Sequence, residues 1–198
     1  MTILKIVKKL LFLSLPLFLL SCSNYANLKS DEKNLAGKGV AIMSVTDFET
    51  ISPIDINMKH EITYIKFCKI EDKKCFKVKK DKNLQYLAFK INAGIYYIRE
   101  IGLDGFFIDT FIFKLDKKAK KPILASFQIQ KDEIIYFGSI ENILGTAKFF
   151  EKDKFYFCIK NNLPEAQSYV KQNFPFLDSE NIKFQPLELG TQSEYKCE

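Results

Sequence analysis

From Gly37 onward apolar residues recur at every second position in short segments bounded by Gly, Asp, Asn and Lys. That is the period of side chains alternating between the two faces of a β-strand. The pattern predicts strands near 39–48, 62–69, 74–80, 84–91, 95–101, 106–115, 123–130, 134–140, 149–159 and 182–189. In 106–115 both faces are apolar: Phe107, Phe111 and Phe113 share one with Asp109, while Phe106, Ile108 and Ile112 share the other with Thr110. Such a strand needs cover on two sides or an edge against another surface, which favours a two-layer sandwich over a single solvated sheet. Helical spacing is found over 163–174, where Leu163, Ala166, Val170 and Phe174 form the apolar stripe. Asn162 with Glu165 imitates a capping box, Pro164 sits in the first turn, and Pro175 ends the run. Short strands at hairpin spacing plus one late helix predict a mainly β fold, an antiparallel β-sandwich over residues 37–198, and no repeat of 20–50 residues is visible.

The first 36 residues follow a different logic. Lys5, Lys8 and Lys9 precede an apolar stretch from Leu10 to Leu20, the layout of an export signal. Interrupted by Ser14 and Pro16, the stretch falls well short of the ~20 apolar residues a membrane span requires. It ends in Leu19-Leu20-Ser21-Cys22, which resembles the lipobox of bacterial lipoproteins. That resemblance implies that Cys22 receives a diacylglyceryl group, that residues 1–21 are removed, and that the new amino group is acylated. The alternative is an ordinary secretory signal, with Cys22 a disulfide partner or a bystander. Ser23 after Cys22 resembles the outer-membrane sorting pattern of enteric-type bacteria. Polar and aperiodic, residues 22–36 read as a flexible tether from the lipidated cysteine.

Three further segments carry a resemblance. Lys90-Ile91-Asn92-Ala93-Gly94-Ile95-Tyr96-Tyr97-Ile98 resembles the turn into a strand of transthyretin-like or carboxypeptidase-regulatory-like sandwiches, with Ala93 where proline is common. Lys131 to Ile140 (KDEIIYFGSI), and the helix ending in Phe174-Pro175, resemble segments of small envelope lipoproteins of unknown function that share that sandwich. The resemblance implies a fold and a compartment, the bacterial cell envelope, and carries no catalytic residue.

Composition narrows the chemistry. The chain carries a net charge of +6, which falls to +3 if residues 1–21, with their three lysines, are removed. Arg99 is the sole arginine, so the guanidinium forks that read bases and phosphates are missing and nucleic acid is not expected. The lysines fall in turn-like clusters; Lys117, Lys118, Lys120 and Lys121 form a candidate basic contact patch toward an anionic polysaccharide or another envelope protein, set against a simple solvated turn.

Beyond Cys22, an even set of cysteines remains: Cys68, Cys75, Cys158 and Cys197. In an exported chain such a set suggests disulfides, with about three connectivities open. If 62–69 and 74–80 form a hairpin, the register that pairs Cys68 with Cys75 also sets Phe67 opposite Phe76 and Ile65 opposite Val78. Its blemish is Lys66 opposite Lys77. The Cys68/Cys75 spacing fits no compact zinc knuckle and His60 is the lone histidine, so no metal or cofactor is expected. Ser168 and Lys171 match S-x-x-K on the helix without the S-D-N or K-T-G companions of penicillin-interacting enzymes, and G-x-S-x-G, P-loop and dinucleotide signatures are absent. Asp104, Asp109 and Glu141 lie in or beside strands without an assignable pair. The expectation is a lipid-anchored, non-catalytic binding, assembly or structural module; the alternatives are an envelope hydrolase with an unrecognised site and a host-facing adhesin.

Overall fold

The computed structural model describes residues 27–31, 35–51, 57–80, 86–104, 110–116, 119–146 and 154–197. The elements are β1 (Gly39–Ile51), β2 (Asn57–Lys69), β3 (Cys75–Lys79), β4 (Leu87–Ile91), β5 (Gly94–Leu103), β6 (Thr110–Ile112) and β7 (Ala125–Ile129). They continue with β8 (Ile134–Thr146), β9 (Lys154–Lys160), the helix α1 (Leu163–Asn173), β10 (Lys183–Phe184), β11 (Glu188–Leu189) and β12 (Ser193–Tyr195). The expected segment 182–189 splits into β10 and β11 around Pro186, which has no N–H to give a ladder. Signal residues 1–21, Cys22, Asp109, Lys117 and Lys118 lie outside the described residues.

The protein is mainly β, and its strands join one large mixed sheet with the path β11-β7-β5-β2-β1-β8-β9-β12; β10 pairs with β8, β3 with β2, β4 with β1 and β6 with β5. β1, β2 and β8 have 13 residues each. β1 and β8 pair along almost their whole length, Val40–Ile51 beside Ile134–Thr146, while the other edge of β1 passes from β4 to β2. β2 pairs with β1 through residues 57–61 and with β3 and β5 beyond that. The sheet folds back on itself: Phe127 of β7 and Phe137 of β8, not neighbours in the path, pack with ring centroids 4.5 Å apart. β11 and β12, at opposite ends of the path, are joined through residues 190–192.

The expectation of an antiparallel arrangement needs correction, because β1–β8, β8–β10 and β9–β12 run parallel. Alternation along a strand reports which face is buried and is blind to direction. Direction is dictated by a tight turn only where strands are joined as hairpins, and β1 and β8 are far apart in sequence.

Bulges keep the apolar side chains on one face. In β8 the main core receives Ile135 and Phe137, then Ile140 and Ile143, two three-residue steps that a strict period of two would send to opposite faces. The register shifts against β1 between Ile42 and Ser44, and against β9 between Ile140 and Asn142, supply the extra residues. Gly138, at φ +100°, occupies the first of these irregularities.

Two-sided cover is seen on β1 and β8; of the expected strand 106–115, residues 106–109 lie outside the described residues. Ala41, Met43 and Val45 enter the main core, whereas Val40 and Ile42, with Ile134 and Tyr136 of β8, pack under Ala166, Val170 and Phe174 of the helix. Phe111 does stack on Phe48 at 4.7 Å, but Ile112 is 59% exposed. The apolar stripe of α1 is the expected one; its cap is not. Asn162 makes no capping bond, Asn161 Oδ1 accepts from the Leu163 N–H at 3.2 Å, and Asn162 Nδ2 turns to Ser139 Oγ at 3.4 Å. Within the stretch 22–36 expected to be a tether, Leu28 is buried and Leu35 packs against the helix-side core, while 22–26 and 32–34 lie outside the described residues.

Candidate functional site

The hairpin β2–β3 adopts the expected register, with Cys68 opposite Cys75, Phe67 opposite Phe76, Ile65 opposite Val78 and Lys66 opposite Lys77. Cys68 and Cys75 are joined by a disulfide, and the second bridge links Cys158 to Cys197. Of the connectivities open at sequence level, the topology selects this pair because β12 runs parallel to β9, with Tyr195 opposite Phe157 and the Lys196 N–H donating to the Phe157 carbonyl at 2.9 Å. Cys197 is thereby delivered beside Cys158. The bridge fastens β12 to β9 across a separation of 39 residues.

The clash of Lys66 with Lys77 is resolved by a residue that sequence reasoning did not single out. Glu100, on β5, accepts from Lys66 Nζ at 3.3 Å and meets Lys77 Nζ at 3.5 Å. Its carboxylate also accepts from the Tyr64 hydroxyl, which stands 3.4 Å from Thr110 Oγ1, and the Lys77 ammonium lies 3.9 Å from the centroid of the Tyr64 ring. The ring rests over Gly102, where a Cβ would stand 2.0 Å from Tyr64 Cε1. Burial alone would raise the Glu100 pKa; the Tyr64 hydroxyl and the two lysines outweigh it and hold the carboxyl below its ordinary value. The signal that could have found Glu100 was the lysine pair itself, which requires a counter-charge on the next strand.

The remaining sequence candidates are dispersed. Ser168 Oγ donates to the Pro164 carbonyl at 2.9 Å within the helix, so its hydroxyl is committed to backbone. His60 sits on β2 opposite Phe48, and its Nε2 is buried without a hydrogen-bond partner. Asp104 Oδ1 accepts from the Glu61 N–H at 2.6 Å, tying β2 to the end of β5. Glu141 pairs with Lys160 at 2.8 Å. Among the described residues no cluster of three or more His, Cys, Asp and Glu side chains could hold a metal.

Lys120 and Lys121 lie in a tight turn built on Asp116, whose Oδ1 accepts from the Ala119 N–H at 3.0 Å and whose carbonyl accepts from the Lys120 N–H at 2.8 Å. Both lysines are exposed. A shallow open depression of about 420 Å³ beside α1 is lined by Pro164, Glu165, Ser168, Tyr169 and Gln172. Burial pushes the Tyr169 phenol above its usual range. No described helix is long and apolar enough to cross a membrane. No family model, no curated protein and no solved structure matches the chain.

Proposed function

We propose that this is a lipid-anchored protein of the bacterial cell envelope, held by Cys22, whose β-rich body is a non-catalytic binding, assembly or structural module. The observation that carries the reading is the order of Lys5, Lys8 and Lys9, the apolar run from Leu10 to Leu20, and Ser21-Cys22 immediately after it. A chain exported to an oxidising compartment is also one in which Cys68–Cys75 and Cys158–Cys197 form and persist. Two or three acyl chains at ~0.8 kcal/mol per buried CH₂ make such an anchor effectively permanent. The finer fold reading is a sandwich of the transthyretin or immunoglobulin kind, supported by the folding back of the sheet about a shared core and modified by its parallel pairs.

The non-catalytic part of the reading rests on the dispersal of Ser168, His60, Asp104 and Glu141 over separate elements, where each side chain except His60 is engaged with backbone or a lysine. The test is metabolic palmitate labelling and membrane fractionation of the Cys22→Ser variant. Loss of label and release from the membrane fraction are expected. A Cys22→Ser protein that still labels and pellets with membranes refutes the anchor.

A further inference from the structure

The N-terminal stretch joins the fold sooner than its polar composition implies. β3 is paired with β2 and β4 with β1, and Asn27 lies between these two. Its side-chain amide donates to the Lys79 carbonyl at 2.9 Å and accepts from the Lys79 N–H at 3.0 Å, the reciprocal pair that a neighbouring strand would make. On the other side its backbone bridges to Phe89 of β4, and the Leu28 N–H donates to the Ala88 carbonyl at 2.7 Å. Leu28 is 7% exposed and belongs to the helix-side core. One residue thus closes the seam between two strands, and buried Leu28 behind it keeps the chain from peeling away.

The distance from the anchor follows. A tether running through Ala36 would have a contour length of about 50 Å, whereas the stretch from Cys22 to Asn27 spans at most about 18 Å when fully extended. That is too short for the body to range freely over the membrane. Lys29 and Lys79, both exposed, flank the point of entry and offer ammonium groups to phosphates.

Resting on the lipid-anchored reading, we propose that the Asn27–Lys79 end of the β3–β4 seam lies against the phospholipid surface, with β3 rising away from it and Lys29 and Lys79 toward the headgroups. The β2–β3 turn at Lys73, at the other end of β3, then points away from the bilayer. The test uses the full-length lipidated protein in vesicles of phosphatidylethanolamine and phosphatidylglycerol carrying a headgroup spin label. A fluorescent amino acid replaces either Lys79 or Lys73, both exposed.

Quenching at position 79 is expected to be at least about threefold that at 73, since the sites are separated by most of the length of a strand. Inserting about 20 Gly and Ser residues between Tyr25 and Ala26 should erase the difference, because such a linker has an r.m.s. span of about 25 Å. Equal quenching in a protein whose Cys22 carries lipid by mass spectrometry overturns the orientation and leaves the anchor standing. A difference that persists with the long linker overturns the proposal that the tether sets it. An unmodified Cys22 overturns both anchor and orientation.

Discussion

Replacing Glu100 by glutamine removes one charge and little volume from a site where that charge is shared. Lys66 and Lys77 face each other on adjacent strands, and each lies within 3.5 Å of the Glu100 carboxylate, whose side chain is 14% exposed. Coulomb's law puts each pair between ~1 kcal/mol in a water-like medium and ~5 kcal/mol at an effective dielectric of 20. The lysines are 31% and 28% exposed, so screening and recovered hydration take most of that away. The Tyr64 hydroxyl keeps an acceptor in the amide oxygen, while two like charges are left opposite each other without their counter-ion.

The expected cost of Glu100→Gln is about 1 to 3 kcal/mol, read as a lower urea midpoint at unchanged slope with disulfides intact. The sign of the pH dependence is determined by the direction of the shift. The folded pKa of Glu100 is depressed, so its contribution is fully present above the unfolded pKa and is lost as pH falls through the folded value. The stability gap between wild type and variant should therefore be flat from about pH 6 to 8 and close progressively below about pH 4.3. Lys66→Gln in the Glu100→Gln background should recover part of the loss by removing one of the facing cations. A midpoint unchanged at neutral pH, or a gap that widens in acid, would refute the electrostatic account of this cluster.

Removing Cys158–Cys197 by paired serine substitution should cost up to ~4 kcal/mol on the chain-entropy scale, against ~2.5 kcal/mol for Cys68–Cys75, and limited proteolysis should then trim β12 first. Equal losses, or an uncut β12, would contradict the fastening of β12 by the longer bridge. Gly138→Ala should destabilise by about 2 to 4 kcal/mol in thermal melts, because φ is +100° and a Cβ would stand 2.5 Å from Ile159 Cγ2 and 3.0 Å from the Lys160 carbonyl oxygen. Charge reversal at Lys117, Lys118, Lys120 and Lys121 should change stability by less than ~0.5 kcal/mol while lowering the salt needed to elute the protein from an anionic polysaccharide resin. Unchanged elution would leave these lysines as a solvated turn.

Local sequence was enough where a tight turn joins the two partners. The β2–β3 register follows from matching Cys68 with Cys75 and Phe67 with Phe76, because a short turn leaves few pairings and one of them satisfies both core and thiols. The α1 stripe is equally local, since residues three and four apart share a helix face whatever the rest of the chain does. The lysine conflict in that hairpin was visible too, although its answer lay outside the hairpin, on β5 at Glu100.

Sequence alternation could not say that β1 and β8 lie parallel, because a strand presents the same faces in either direction. Nor could it place the bulges in β5 and β8, which shift face by one residue only when a partner's register demands it. The Cys158–Cys197 pairing needed β12 to be laid beside β9, and the capture of Asn27 needed β3, paired with β2, to be brought beside β4, paired with β1. These features share one cause. Each depends on residues far apart in the chain that are brought together by burial of a common core, and the free energy that selects them is spread over that core rather than written in any one segment.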